Sequence, residues 1–237
     1  WGADESLRNA APSYATVRMA FVHHTASGNT YSPADGPALV RGIYAYHTRS
    51  LKWNDIAYNF LVDRYGTVYE GRRGGVTRGV VGAHVYGFNT GSTGVSVIGT
   101  FTDEQPPAAA VTALERLLAW KLSVHGLSPT GTAKLTCGAT DKYAKGAVVK
   151  LPVIAGHRQA NYTECPGTAF YPLLNAVRGG VARRMGAAAA ATLTASSSLI
   201  SPNGDGMLDT TVLTVNATTD LTWRLTVTGA GGEQGAA

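Results

Sequence analysis

Apolar positions along this chain repeat with two different periods, and the switches between them mark out its elements. Residues 17–25, VRMAFVHHT, are mostly apolar up to Val22, which predicts a buried strand that delivers His23 at its C-terminal end. In 32–50, Val40, Ile43, Tyr44 and His47 follow i, i+3, i+4, i+7 spacing behind Ser32 as N-cap, so an amphipathic helix is expected with His47 structural on its inner face. The runs 56–63 (IAYNFLVD) and 67–71 (TVYEG) flank the turn Arg64-Tyr65-Gly66 and read as a β-hairpin with Tyr58 on its first strand. Residues 94–101 alternate like a central strand. The segment 107–126 follows Pro106-Pro107 as a helix with a stripe of Val111, Leu114, Leu117, Leu118 and Leu122. A second strand, 147–156, runs into His157, and a last helix over 169–185 buries Leu173, Leu174, Val177 and Val181. The alternation of strands and helices predicts an α/β fold, a mixed central sheet flanked by helices.

Two stretches lack either period. The Gly-rich segment 71–94 predicts loops around a site; without a strand–GxGxxG–helix pattern or a Gly-Lys-Ser/Thr ending, it argues against nucleotide binding. At 186–192, GAAAAAT, the composition changes, and beyond it Thr, Val, Ser and Gly dominate with little charge. The expected organisation is a domain over 1–185, a linker over 186–196 and a truncated all-β segment over 197–237, too short for the roughly seven strands of an Ig-like sandwich. In SPNGDGMLD (201–209) the Asp and Asn spacing hints at calcium, but Asn-Gly and Asp-Gly are turn chemistry first, and an EF-hand's length and final Glu are missing.

Composition narrows the picture. The 237 residues are 44% hydrophobic, enough for one ordinary domain and something smaller, and no run of eighteen apolar residues is present to span a membrane. The chain starts at Trp1 without a Met or a visible signal peptide, so a processed or truncated N-terminus is expected. A net charge of +5 from scattered Lys and Arg suits anionic partners, whether cell-wall polymers, membranes or nucleic acids, and equally a merely solvated surface. Of the two cysteines, Cys137 and Cys165, the second lies in HRQANYTECPG (157–167), eight residues after His157. Imidazole and thiolate are the side chains that hold zinc best, and His157, Cys165 and the His23-His24 pair supply three ligands with one position open, as a hydrolytic zinc requires. A Cys137–Cys165 disulfide would consume that thiolate.

With WGADES (1–6), FVHHTA (21–26), WNDIAYNFLVDRYGTVYEGR (53–72), GAHVYGFNTGSTGVSVIGTF (82–101) and IAGHRQANYTECPGTAFY (154–171) in order, the chain resembles the zinc-dependent N-acetylmuramoyl-L-alanine amidases of the type 2 family, in their peptidoglycan recognition protein branch. The resemblance covers residues 1 to about 184. It implies that His23, His157 and Cys165 bind one catalytic Zn2+ and His24 does not, and that Tyr58 and Thr163 flank the metal-bound water. It places His84 as a substrate contact near the cleft and Arg72 where the third residue of the stem peptide is sensed. The Gly-Trp of some relatives is absent there, so meso-diaminopimelate and lysine stems both stay open. In phage relatives the Thr163 position is Lys. Cytoplasmic recycling amidases carry a Glu where this chain has Ser96, so their carboxylate is missing here. The implied reaction is hydrolysis of the lactyl-amide bond between N-acetylmuramic acid and L-Ala, with peptidoglycan and not nucleic acid as the partner, by a secreted or cell-wall-associated protein. A relative that binds peptidoglycan without cutting it is the competing expectation. The tail resembles the opening of Ig-like modules at the ends of secreted bacterial proteins.

Overall fold

Four parallel strands and one antiparallel edge strand make the sheet on which the site is built. The structure, a computed structural model, describes residues 1–188, 192–196, 212–216, 226–228 and 234–236. Its strands are β1 (Met19–His24), β2 (Phe60–Val62), β3 (Val68–Glu70), β4 (Ser92–Val97), β5 (Thr132–Thr136), β6 (Val148–Pro152) and β7 (Ile154–Gly156). The main sheet has the order β3-β2-β4-β1-β7, and β5 and β6 form a separate antiparallel hairpin. With α1 (Gly36–Ala45), α2 (Ala108–Val124) and α3 (Leu174–Ala188), this is the expected mixed sheet flanked by helices.

β1 is buried along its whole length, which is why its sequence shows no in–out alternation. Alternation still decides what each residue does. Met19 and Phe21 enter a core with Phe88, Leu135, Cys137 and Leu151 from the β5–β6 side, and His23 is next on that face. Each such side chain contributes about 1.5–3 kcal/mol of burial free energy, so the base of the site is rigid. A second core gathers Val40 and Tyr44 of α1 with Ile56, Leu61, Tyr69 and Ile98, and Tyr58 packs against it.

Several boundaries differ from the sequence expectation. Tyr58 lies two residues ahead of β2, not on it: Asn59 accepts from Gly94 N through Oδ1 and donates to Val80 O through Nδ2, taking up backbone groups that a longer strand would pair. The expected strand 147–156 is two strands in two sheets. Pro152 offers no N–H, and Val153 N turns to Gly131 O while Val153 O accepts from Ala20 N, so the chain leaves the hairpin and joins β1. The helix predicted over 32–50 closes with a π-helical turn, Tyr46–Ser50, that buries His47 and Thr48 together. Val111 and Leu173 are only half-buried, and Lys121 takes a core position on α2, its amino group donating to Val76 O (2.7 Å) and Arg78 O (2.8 Å). Gly186 does not end α3, which continues to Ala188 because alanine is the best helix former.

The chain divides into two units, Trp1–Arg184 and Met185–Ala237. In the second, β8 (Thr192–Ala195) pairs antiparallel with β9 (Leu213–Asn216), and β10 (Thr226–Thr228) with β11 (Gln234–Ala236). The segment 201–209 lies outside the described residues.

Candidate metal centre

Parallel pairing of β1 with β7 brings two strand ends to the same edge of the sheet. Val22 is in register with Gly156, so His23, near the end of β1, and His157, the first residue after β7, are neighbours on adjacent strands. The turn that follows His157 returns Cys165 to them, its carbonyl accepting from Arg158 N at 2.9 Å. Among the described residues, His23, His157 and Cys165 form a group whose ligand atoms all lie within 4.8 Å of one another. Cys165 Sγ sits 3.6 Å from His23 Nδ1. Two ligands of one tetrahedral zinc, an imidazole at ~2.0 Å and a thiolate at ~2.3 Å, stand about 3.5 Å apart, so the donor set and its spacing fit zinc. Both cysteines are free, with Cys137 buried in the core away from this group.

His24 points to the opposite face, where its Nδ1 accepts from Phe101 N at 3.1 Å. Replacing His24 with alanine is therefore expected to leave one zinc per chain while lowering the melting temperature, because a buried N–H loses its partner at a cost of about 1–3 kcal/mol. His23→Ala should lose the metal. Zinc content measured side by side checks this, and metal loss in both variants would contradict the assignment.

Burial sets the protonation of the group. It holds His23 well below the ordinary histidine range, with His157 and His84 adding to the effect. It brings His157 to about 4 against the opposing pull of Asn161 and Asp141. It pushes the Cys165 thiol up to about 12, against His24's backbone and Arg158. Near pH 7 the metal-free site thus holds neutral imidazoles and a protonated thiol. Zinc binding at pH 6, below the pKa of about 7 that zinc gives its bound water, is expected to release about one proton, from Cys165, with affinity rising roughly tenfold per pH unit there. Calorimetry in buffers of different ionisation enthalpy measures that number, and a value near zero would remove Cys165 from the ligand set.

Around the group, Tyr58 lies with its ring 5.4 Å from that of His23. Burial raises its hydroxyl to about 12, with Cys165 adding to the shift, so it stays a proton donor at any working pH. It is braced by His47, whose ring stacks on Trp53 at 4.9 Å, lies 5.9 Å from Tyr58 and accepts from Ala57 N through Nδ1. Thr163 Oγ1 accepts from Cys165 N at 3.2 Å, and Ser96 is the register partner of His23 on β4. Arg72 donates to three backbone carbonyls, those of Asp55, Ile56 and Val81. His84 is 5% exposed, with its Nδ1 3.0 Å from His23 Nε2.

The β5–β6 hairpin tip that supports the ligand loop carries no motif in the sequence. Asp141 accepts from Asn161 Nδ2 and Tyr162 N, Lys142 Nζ donates to Arg158 O, and Tyr143 Oη donates to Gln159 O. These residues are 16–21 positions from their partners, so no local pattern joins them.

Comparison with known proteins shows the family. Residues 13–168 match the family described as N-acetylmuramoyl-L-alanine amidase. Peptidoglycan-recognition protein SC2 of Drosophila simulans is 33% identical over 169 residues, covering 71% of this chain and 77% of the relative. Among solved structures, Drosophila peptidoglycan recognition protein SD superposes with a TM-score of 0.56 at 26% identity, covering 71% of this chain and 86% of that one. Peptidoglycan recognition protein LE, solved in complex with tracheal cytotoxin, a monomeric diaminopimelic acid-type peptidoglycan, gives 0.53 at 32% identity, covering 70% and 83%. The chain belongs to the N-acetylmuramoyl-L-alanine amidase family, in its peptidoglycan recognition protein branch.

Proposed function

We propose that the unit Trp1–Arg184 is a zinc-dependent N-acetylmuramoyl-L-alanine amidase that hydrolyses the lactyl-amide bond between N-acetylmuramic acid and L-Ala of peptidoglycan. The observation that carries this reading is the convergence of His23, His157 and Cys165 at two adjacent strand ends with Tyr58 beside them. Zinc bound there supplies a Lewis acid for the amide carbonyl and lowers the pKa of water towards about 7.

The chain's own residues do the rest. Tyr58 Oη, protonated and set beside the ligands, donates to the oxygen on which negative charge develops. Thr163 holds the ligand loop through Cys165 N, and its hydroxyl proton remains available to orient substrate. In this reading Arg72 contributes to sensing the third residue of the stem peptide, its guanidinium held by the carbonyls of Asp55, Ile56 and Val81. No helix among the described residues is long and apolar enough to cross a membrane, and in this reading the protein works outside the cell, secreted or held at the wall.

A second reading, binding without cleavage, is favoured by the relatives' names as recognition proteins. The two differ in chemistry: a binding module has no use for three converging N/S ligands and a protonated tyrosine. Incubation of purified walls with the zinc-loaded protein separates them, since only the amidase releases stem peptides with a free L-Ala amino terminus.

A further inference from the structure

We propose that His84 is a positioning residue for the metal centre: it accepts a hydrogen bond from His23 Nε2–H and thereby fixes the tautomer in which His23 Nδ1 is free to bind zinc. The proposal rests on the zinc reading above. His23 Nδ1 faces Cys165 Sγ at 3.6 Å, which turns Nε2 away from the ligand group, and there it meets His84 Nδ1 at 3.0 Å. The two rings are set edge to face, 74° apart with centroids 5.0 Å from each other. A ligating Nδ1 carries no proton, so Nε2 must carry it and needs an acceptor. His84 Nδ1 is that acceptor, and the proton of neutral His84 is then on Nε2. Among the described residues that Nε2 is buried without a hydrogen-bond partner, so Nδ1 is the only ring atom whose bonding orients the ring. The opposite pair of tautomers would place a proton on His23 Nδ1, between the ligands.

The surroundings are shaped to hold this ring. A Cβ on Gly94 would lie 2.3 Å from His84 Cγ, and one on Gly82 would lie 2.4 Å from Cδ2. Neither glycine has a left-handed φ, so close approach calls for glycine here: of the imidazole at both positions, and at Gly82 also of the Ala57 carbonyl oxygen, 3.0 Å from such a Cβ. Asn89 Oδ1 accepts from His84 N (2.8 Å) and Val85 N (2.9 Å), and Asn59 Oδ1 accepts from Gly94 N (2.8 Å), which fixes both sides of the slot. Partners of this kind behind a ligating histidine are worth about 10–100-fold in metal affinity.

Two substitutions in the full chain test the role. His84→Asn offers Oδ1 near the place of Nδ1 and keeps an acceptor; His84→Leu fills the slot without one. Zinc affinity by competition with a chromophoric chelator should fall about 10–100-fold in His84→Leu and stay close to wild type in His84→Asn. Equal affinities in all three proteins, or equal losses in both variants, would overturn the proposal. Should His84→Leu not fold, nitrogen-15 spectra of the unmutated zinc-loaded protein decide: the expected result is a proton on Nε2 of both His23 and His84, and a proton on His84 Nδ1 overturns it. A wild-type protein that takes up no zinc would overturn this proposal together with the amidase reading, whereas zinc-bound, active protein with the wrong tautomers defeats the role of His84 alone.

Discussion

Cys165→Ser is expected to strip the protein of zinc and abolish amide cleavage, the largest effect of any single substitution in this site. The thiolate is the one anionic ligand of the three and the only one that compensates the ion's charge. A serine hydroxyl at that position is a poor replacement at a soft N/S centre and would have to lose a far less acidic proton. The variant should still fold, because Cys165 is only partly buried and its loop is held by Arg158 N, Thr163 Oγ1 and the contacts from Asp141 and Lys142. Metal analysis together with an assay of stem-peptide release checks both parts. Full zinc with substantial turnover would remove Cys165 from the centre.

Tyr58→Phe should bind zinc and fold as the wild type does, yet turn over about 10²–10³-fold more slowly, the loss that follows removal of one oxyanion donor. Phenylalanine keeps the ring that packs against the Val40, Tyr44 and Ile56 core and lies beside His47, so stability is not what changes. The loss should fall on kcat and leave KM little altered, since the hydroxyl acts on charge that appears only in the transition state. Unchanged kcat would make Tyr58 a packing residue.

Some of this site is legible in the sequence and some is not, for physical reasons. β1 is readable because burial on both faces leaves an almost unbroken apolar run that ends at His23. His157 and Cys165 are readable because two strong ligand types lie in one short segment. The break between β6 and β7 is harder to see: it depends on where Val153 finds its hydrogen bonds, with Gly131 and Ala20, and Pro152 was the sole local signal. Tyr58 was displaced from its expected strand by the side chain of Asn59, whose partners, Val80 and Gly94, are 21 and 35 residues away. The slot around His84 is made by two glycines that sequence alone reads as loop and strand residues. Lys121 defeats a polarity pattern outright, because two distant carbonyls satisfy its amino group inside the core.

Mass spectrometry of the products released from purified walls of known stem chemistry, with zinc counted in the same protein sample, decides whether hydrolysis occurs at a zinc held by His23, His157 and Cys165. The expected result is one zinc per chain and stem peptides beginning with a free L-Ala, beside muramic acid bearing a free lactyl carboxyl. Release should stop on chelation and return when zinc is added back. Walls that are bound by the zinc-loaded protein but keep every lactyl-amide bond intact would contradict it.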